Sequence, residues 1–328
     1  MQLLAGDIGG THSRLMLASM LDGRLQIEDE KHYASEAFDD FLPLVEKFLQ
    51  QHGKKTRPAA ACFAVAGPVR RQCARITNLP WQLQADELAS RLGIPSLMLI
   101  NDFQAIGYGM AQLQATDFVE LQAGRPEEEG RRALIGAGTG LGEALLIWQD
   151  DHYVPWPTEG GHVDFAPRDE LEMELLRWLR TAHGHVSYEM VLSGPGLVRI
   201  YEFLHDSGRF PDSPAVWKGI TAASISEQAL AGSDELAEAA LDCFVRIYGA
   251  QAGNFALNCL ATGGVYIAGG IAPHILEKLR HDSFIEAFRD KGPLSHLMHD
   301  IPVSVILNEK AGLLGAAECA ARLSKSVS

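Results

Sequence analysis

A carboxylate that follows a buried strand is the first candidate for chemistry in this sequence. Four apolar residues at 97–100 run directly into Asn101 and Asp102 before the pattern becomes helical. Ligands of open α/β sheets bind at the carboxyl ends of strands, so Asp102 is a candidate general base. Asn-Asp after a strand is equally typical of a helix N-cap, with Asp102 capping a helix that runs to about Leu113. The rest of the chain must decide between these interpretations.

A glycine-rich turn lies between two apolar strands near the N-terminus. Residues 6–11 read Gly-Asp-Ile-Gly-Gly-Thr, and strand-like residues resume at 14–18. A P-loop or a GxGxxG turn leads into a helix, so this strand–turn–strand pattern differs from both. Paired glycines let several backbone N–H groups approach a phosphate, with the Thr11 hydroxyl as a further donor, and Asp7 could act on Mg²⁺ through water. A tight hairpin with Asp and Gly as turn formers is the alternative.

The same pattern recurs over residues 131–147. Four glycines and a threonine fall within seven residues there, between two apolar runs, as Gly136-Ala137-Gly138-Thr139-Gly140-Leu141-Gly142. Glycine weakens a strand unless something must approach the backbone closely. The repeat predicts two related domains that each offer a backbone phosphate cradle to one nucleotide.

Three further segments carry polar groups or glycine pairs at strand or loop ends. Proline and glycine predict a loop over 155–167, where Glu159 and His162 offer an acceptor and an adjustable donor or acceptor to a hydroxylated ligand, unless the loop is only solvated. Zinc is disfavoured there because His162 and Asp164 are two ligands, too few for a tetrahedral site.

Two more segments are weaker signals. Glu189 precedes a Gly-Pro-Gly break, and by itself it does not indicate a function. A buried strand at 265–268 ends in Gly269 and Gly270, which fits either a flat ring against the backbone or a plain turn.

Length, charge and cysteine use limit the class of protein. With 328 residues, 47% of them hydrophobic, the chain is predicted to form two domains with a cleft between them. The net charge of −14 disfavours a nucleic-acid partner. Neither a secretion signal nor an apolar run of membrane length is recognisable. The cysteines form no close pairs, which disfavours a disulfide framework or a cysteine metal cluster and favours the cytoplasm; they are Cys62, Cys73, Cys243, Cys259 and Cys319.

Four of these motifs, taken in chain order, resemble the phosphate-1, sugar, phosphate-2 and adenosine motifs of the actin-like sugar kinases. They are, respectively, Asp7 to Thr11, Asn101-Asp102, Gly136 to Gly142, and Gly269-Gly270 with Pro273. The resemblance runs from Gly6 to about Ala317 and is closest to the bacterial ATP-dependent glucokinases. The cysteine-rich zinc cluster of the related repressor-and-kinase family is absent from the sequence, which favours the glucokinase branch. The resemblance implies an α/β, two-domain actin-like ATPase (ribonuclease H-like) fold with a mixed sheet in each domain. The expected small domain is 1–112 plus 304–328, and the large domain is 113–303.

The resemblance also implies an activity and assigns residues to it. Asp102 would be the catalytic base that accepts the proton of the glucose 6-hydroxyl as it attacks MgATP. The sugar would be bound by Asn101, Asp102, Glu159, His162 and Glu189. ATP with Mg²⁺ would be bound by Gly6, Asp7, Ile8, Gly9, Gly10, Thr11, Gly138, Thr139, Gly140, Gly269 and Gly270, with no metal held by the protein alone.

One departure and three alternatives accompany this assignment. The family usually has asparagine after the first threonine, where this chain has His12, although the cradle from Gly6 to Thr11 is intact. The expected partners are a small-molecule sugar and ATP, without nucleic acid or membrane, in a cytoplasmic homodimer. A kinase of another hexose, another phosphoryl donor, and a non-catalytic sugar or nucleotide sensor remain open.

Overall fold

The fold is mixed α/β, as the sequence predicts. A computed structural model describes residues 1–52, 57–76, 79–210 and 219–325. The strands are β1 Gln2–Ile8, β2 His12–Leu21, β3 Arg24–Ala34, β4 Ala60–Val65, β5 Cys73–Arg75, β6 Gln82–Gln84, β7 Leu97–Asn101, β8 Phe118–Gln122, β9 Arg132–Ala137, β10 Leu141–Gln149, β11 His152–Thr158, β12 Gly264–Ala268 and β13 Val303–Ile306. The α-helices are α1 Phe41–Gln51, α2 Ala85–Leu92, α3 Asp102–Gly109, α4 Glu170–Ala182, α5 Gly194–Asp206, α6 Ala222–Ala231, α7 Glu235–Cys259, α8 Ile271–His274, α9 Leu276–Leu279, α10 Asp282–Arg289, α11 Ser295–Met298 and α12 Ala311–Lys325.

Two mixed sheets carry the predicted strand–turn–strand repeats. The first has the order β3-β2-β1-β4-β7 and the second the order β11-β10-β9-β12-β13-β8. In the first, β1 is antiparallel to β2 and parallel to β4, which is parallel to β7. In the second, β9 is antiparallel to β10 and parallel to β12. Each glycine turn therefore joins an antiparallel pair whose first strand also has a parallel neighbour.

By its contacts the chain forms two compact units. The first comprises Met1–Ala115, Asp151–Pro157 and Asn308–Ser328, and the second comprises Thr116–Asp150 and Thr158–Leu307. In the first unit, α1 is amphipathic and buries Phe41, Val45 and Phe48. In the second unit, the long helix α7 is buried over most of its length because alanine, glycine and aromatic residues occupy nearly every face. Within the described residues, no helix is long and apolar enough to cross a membrane.

Helices α3 and α12 of the first unit approach closely. A side-chain carbon added at Gly109 would overlap the Ala311 carbonyl, and one at Gly315 would overlap the Ala105 carbonyl. Small residues on both helices therefore bring the two backbones into contact, and this fixes α3, whose first residue is Asp102.

Two local predictions were wrong. The loop predicted over 155–167 begins as a strand, since β11 extends to Thr158. Pro155 and Pro157 are compatible with that strand because β11 is an edge strand, where proline removes no ladder hydrogen bond. The Gly-Pro-Gly segment after Glu189, predicted as a break, is instead the start of α5, with Ser193 as its N-cap and proline in the first turn.

Candidate active site

Three parallel strands of the first unit, β1, β4 and β7, end at the same edge of their sheet. Ile8 of β1 pairs with Val65 of β4, and Val65 pairs with Asn101 of β7. The residues that follow these positions lie along one edge of the sheet, because parallel strands in register end together. The phosphate-1 turn and Asp102 therefore share that edge.

The helix cap at this edge is Asn101 rather than Asp102. The Asn101 side-chain oxygen accepts hydrogen bonds from the backbone N–H groups of Phe103 and Gln104, at 2.9 and 3.3 Å. Its amide nitrogen donates to the carbonyl of Gly67 at 3.1 Å. Asp102 is the first helical residue and also accepts from Phe103 N–H, at 2.9 Å, through Oδ1. Asn101 is thus committed to the local fold, and a hydrogen bond from its side chain also acts to lower the pKa of Asp102.

Burial makes Asp102 more basic than an ordinary aspartate. Desolvation raises the pKa of Asp102 from 3.8 to about 6, against a lowering contribution from the Phe103 N–H, and the nearby Asp7 carboxylate raises it further. Burial also raises the pKa of Asp7, where the positive charge of Arg14 acts in the opposite direction. A carboxylate with a pKa near 6 is ionised at neutral pH and can still accept a proton readily.

The phosphate-1 turn is held by a small hydrogen-bond network. Gly9 N–H donates to the His12 carbonyl at 3.0 Å, and the Ser35 hydroxyl donates to the Gly9 carbonyl at 2.8 Å. Among the described residues no acceptor is recorded for the backbone N–H groups of Gly10 and Thr11. This arrangement fits a phosphate, which needs several N–H donors without protein partners.

Two residues of the predicted nucleotide set have packing roles in the first unit. Gly6 is inside β1, where a side-chain carbon would lie 2.7 Å from the Phe63 ring and 2.9 Å from a Leu15 methyl group. The Ile8 side chain is fully buried in the core. Gly6 therefore makes room for Phe63, and Ile8 can offer a ligand only its backbone.

The phosphate-2 turn in the second unit is also anchored through its backbone. Gly138 N–H donates to the Gly140 carbonyl at 2.8 Å, and the Gly138 carbonyl accepts from Gly194 N–H at 2.7 Å, which ties the turn to the start of α5. No atom occupies the space where a Gly138 side chain would be. The turn thus leaves an open face for a bulky group.

The predicted adenosine motif lies beside this turn. Ala268 of β12 pairs with Gly136 of β9, so Gly269 and Gly270 follow at the same sheet edge. Gly269 has a φ of +83° and packs against the backbone of Ala137, where any side chain would overlap. Glycine is required at position 269 for two reasons: the positive φ disfavours other residues, and the Ala137 backbone leaves no room for a side chain.

Glu159 and His162 lie on one exposed turn of the second unit. Gly160–His162 forms a single 3-10 turn, closed by a hydrogen bond of 3.0 Å from His162 N–H to the Glu159 carbonyl. Backbone bonds of 3.0 Å, from Tyr188 N–H to the Val163 carbonyl and from Phe165 N–H to the Val186 carbonyl, join the following residues to 186–188. The predicted loop is therefore attached to the segment that carries Glu189.

Glu189 is placed by the phosphate-2 turn. Its Oε2 accepts a hydrogen bond of 3.0 Å from Leu141 N–H. A side-chain carbon at Gly140 would lie 2.5 Å from the same oxygen. One carboxylate oxygen of Glu189 is thus used within the protein, and the structure brings Glu189, the phosphate-2 turn and the adenosine motif together.

Sequence reasoning missed several polar residues behind these segments. The Tyr248 hydroxyl, fully buried on α7, accepts from Ala137 N–H at 3.1 Å and donates to the Ala268 carbonyl at 3.5 Å, and burial raises the pKa of Tyr248. The buried Glu143 and Gln251 form a second hydrogen-bonded group with the partly buried Asn254. The available signal was a glutamate inside the apolar run that follows Gly142, since ionisable residues rarely occupy such a strand.

No group of three or more His, Cys, Asp or Glu side chains among the described residues could hold a metal ion.

Comparison with known proteins gives one consistent result. A family model described as Glucokinase matches residues 4–323. A glucokinase from Nostoc sp. (strain PCC 7120) is 46% identical, with 98% of this chain and 99% of the relative covered. The crystal structure of a glucokinase from an Antarctic psychrotroph is similar with a TM-score of 0.87 and 33% identity, covering 98% of this chain and 99% of that one.

A more distant structure supports the fold alone. The ROK family glucokinase from Streptomyces griseus, solved in complex with glucose and AMPPNP, has a TM-score of 0.65 at 21% identity and covers 98% and 100% of the two chains. These matches confirm the predicted two-sheet sugar-kinase fold. The chain belongs to the glucokinase family of ATP-dependent sugar kinases.

Proposed function

We propose that this protein phosphorylates D-glucose at the 6-hydroxyl with MgATP, giving glucose 6-phosphate and ADP, and that Asp102 is the general base. The observation that carries the role of Asp102 is its position: a partly buried carboxylate with a pKa of about 6, at the same strand edge as the phosphate-1 turn. The 6-hydroxyl oxygen forms a bond to the γ-phosphorus, the bond to the ADP oxygen breaks, and the hydroxyl proton passes to Asp102.

Most of the rate acceleration is assigned to positioning and charge stabilisation. The transition state of phosphoryl transfer spreads negative charge over the phosphoryl oxygens. The N–H groups of Gly10 and Thr11 and the open phosphate-2 turn at 138–140 are suited to that charge, and bound Mg²⁺ would neutralise part of it. Asp7 is proposed to contact the hydrated Mg²⁺, and Gly269 and Gly270 to support the adenosine.

Sugar recognition is assigned to Asn101, Glu159, His162 and Glu189. Glu189 keeps one carboxylate oxygen after its contact with Leu141 N–H, the side chains of Glu159 and His162 are exposed, and Asn101 lies directly before the proposed base. A site that pairs with a hydroxyl rejects sugars that lack it, because its buried polar groups are then left unpaired. Sugars deoxygenated or epimerised at a matched hydroxyl should therefore be poor substrates.

The test is ADP release from MgATP with a panel of hexoses. We expect fast release with glucose, slow release without sugar, and no release after EDTA removes Mg²⁺. Fast release with a different hexose and not with glucose would reassign the acceptor. ATP binding without turnover on any sugar would indicate a sensor.

Two further assignments rest on the family and on cysteine chemistry. We infer that the protein is a cytoplasmic homodimer; all five cysteines are free thiols in the structure, which fits a reducing compartment. Sedimentation equilibrium tests the dimer, since a monomeric mass at micromolar concentration would contradict it.

A further inference from the structure

A buried carboxyl lies behind the predicted sugar turn without any assigned role. Glu143 is the third residue of β10 and is 3% exposed. No lysine or arginine of the described residues lies within ion-pair distance of it. Burying a carboxyl without a cation costs desolvation free energy. Its oxygens are therefore expected to make specific contacts that compensate for that cost.

Hydrogen-bond donors from α7 are ordered so that they end on this carboxyl. Asn254 Nδ2 donates to the Tyr188 hydroxyl at 3.0 Å and to Gln251 Oε1 at 3.3 Å. Gln251 Nε2 donates in turn to Glu143 Oε1 at 2.8 Å. Because the amides of Asn254 and Gln251 both donate towards it, Glu143 must be the acceptor at the end of the chain.

The other side of Glu143 faces the turn at 158–161. A side-chain carbon at Gly160 would overlap Glu143 Oε2, and one at Gly161 would overlap the Leu141 carbonyl. The Glu143 carbonyl accepts from the Thr158 hydroxyl at 3.4 Å, and that hydroxyl accepts from Gly160 N–H at 3.2 Å. Both the main chain and the side chain of Glu143 therefore support the turn that presents Glu159 and His162.

We infer that Glu143 is a positioning residue that fixes the 158–162 turn on strand β10, with Gln251 and Asn254 holding its carboxyl in place, and that it acts on glucose binding through Glu159 and His162. This inference rests on the proposed sugar contacts of those two residues. The geometry requires an acceptor oxygen for Gln251 Nε2, which the ionised and the neutral carboxyl both offer; burial raises the pKa of Glu143 to about 7. Small displacements of positioning groups lower affinity and rate steeply, since the bound geometry must be held closely.

The test compares Glu143→Leu with Glu143→Gln. Leucine removes the acceptor, so we expect the KM for glucose to rise at least tenfold while the KM for ATP stays within about threefold. Glutamine keeps an oxygen for Gln251 and should recover most of the glucose affinity. Gln251→Leu, which leaves the carboxyl in place without its donor, should reproduce part of the defect, and Glu227→Leu on the exposed surface of α6 is the matched control.

Hydrogen exchange of the ligand-free protein gives a readout that does not depend on activity. Amides of 158–163 should exchange faster in Glu143→Leu than in wild type, and at the wild-type rate in Glu143→Gln. Unchanged exchange and unchanged glucose KM in Glu143→Leu would overturn the inference. A glutamine variant as impaired as the leucine variant would overturn it too. Faster exchange in a protein that does not phosphorylate glucose would contradict the proposed function but leave the positioning role supported.

Discussion

At the scale of single residues, the proposed base role of Asp102 and its burial together predict a loss of rate on substitution and a dependence of rate on pH. We predict that Asp102→Asn lowers kcat by about 10²–10⁴-fold, or about 3–5 kcal/mol in the barrier, because the amide cannot accept the proton. Glucose binding should change less, since the asparagine keeps the shape of the side chain. Steady-state kinetics with equilibrium glucose binding measures both, and wild-type turnover in this variant would remove Asp102 from the base role.

The pH profile follows from the same group. Asp102 must be ionised to act as the base, so kcat/KM should rise with pH through about 6 and level off above it. At pH 5 it should be about tenfold below the plateau, because about one molecule in eleven then carries the ionised form. The acidic limb should disappear from the residual activity of Asp102→Asn. A limb that persists there would assign the titration to another group.

The raised pKa of Asp102 also has a cost in stability. An unfolded chain has the ordinary value of 3.8, so the folded state binds the proton more tightly. The stability linked to this proton is full below pH 4 and is lost as the pH rises through about 6. Asp102→Asn, which cannot ionise, should therefore raise the free energy of unfolding at pH 7.5 by up to about 3 kcal/mol and change little at pH 4.

Urea unfolding at the two pH values measures this difference. Asp22→Asn is the matched control, because it makes the same change of charge at an exposed position, in the hairpin turn between β2 and β3. An equal effect of Asp102→Asn at both pH values would contradict the link to ionisation.

At the scale of secondary-structure elements, the edge strand β7 is held by a side chain. Gln72 Oε1 accepts from Leu99 N–H at 2.8 Å and Gln72 Nε2 donates to the Leu99 carbonyl at 3.3 Å, as a neighbouring strand would do. We predict that Gln72→Leu lowers the free energy of unfolding by about 1–3 kcal/mol, because two backbone groups lose their partners. It should also reduce kcat, since β7 leads directly into Asp102.

The control for this prediction is Gln84→Leu, an exposed glutamine at the end of the short strand β6. Urea unfolding and steady-state kinetics are measured on both variants. A Gln72 variant with normal stability and normal kcat would show that the ladder of β4 alone positions β7.

What the sequence predicts correctly at this scale depends on local signals. The ends of β1, β7 and β12, close to Asp7, Asp102 and Gly269, are visible because apolar runs stop at glycine or carboxylate, and the same residues identify the family. The side chains behind the turns are not visible, because Gln72 and Glu143 acquire their roles only when distant segments pack. Asn101 was assigned to the sugar alone, although its cap role is local, because Asn and Asp are both good caps and the sequence does not rank them.

At the scale of the whole molecule, each unit has its own hydrophobic core. The protein has a net charge of −14 and must still bind ATP, a nucleoside triphosphate that is itself negatively charged. The two charges repel each other. We propose that backbone N–H groups at the two glycine turns resolve this conflict, since such groups can attract phosphate without adding positive side chains. Mg²⁺ bound to the triphosphate would lower the repulsion further by neutralising part of its charge.

Ligand binding should therefore be visible in the stability of the intact protein. A ligand that binds only the folded state stabilises it by about 2.7 kcal/mol at a concentration of 100 times its Kd. We predict that glucose raises Tm with this concentration dependence, whereas galactose, its epimer at one hydroxyl, has little effect at the same concentration. His162→Ala should shift the glucose curve to higher concentrations because one sugar partner is lost. Equal shifts with both sugars would mean that the hydroxyls are not read individually, and the sugar contacts would have to be reassigned.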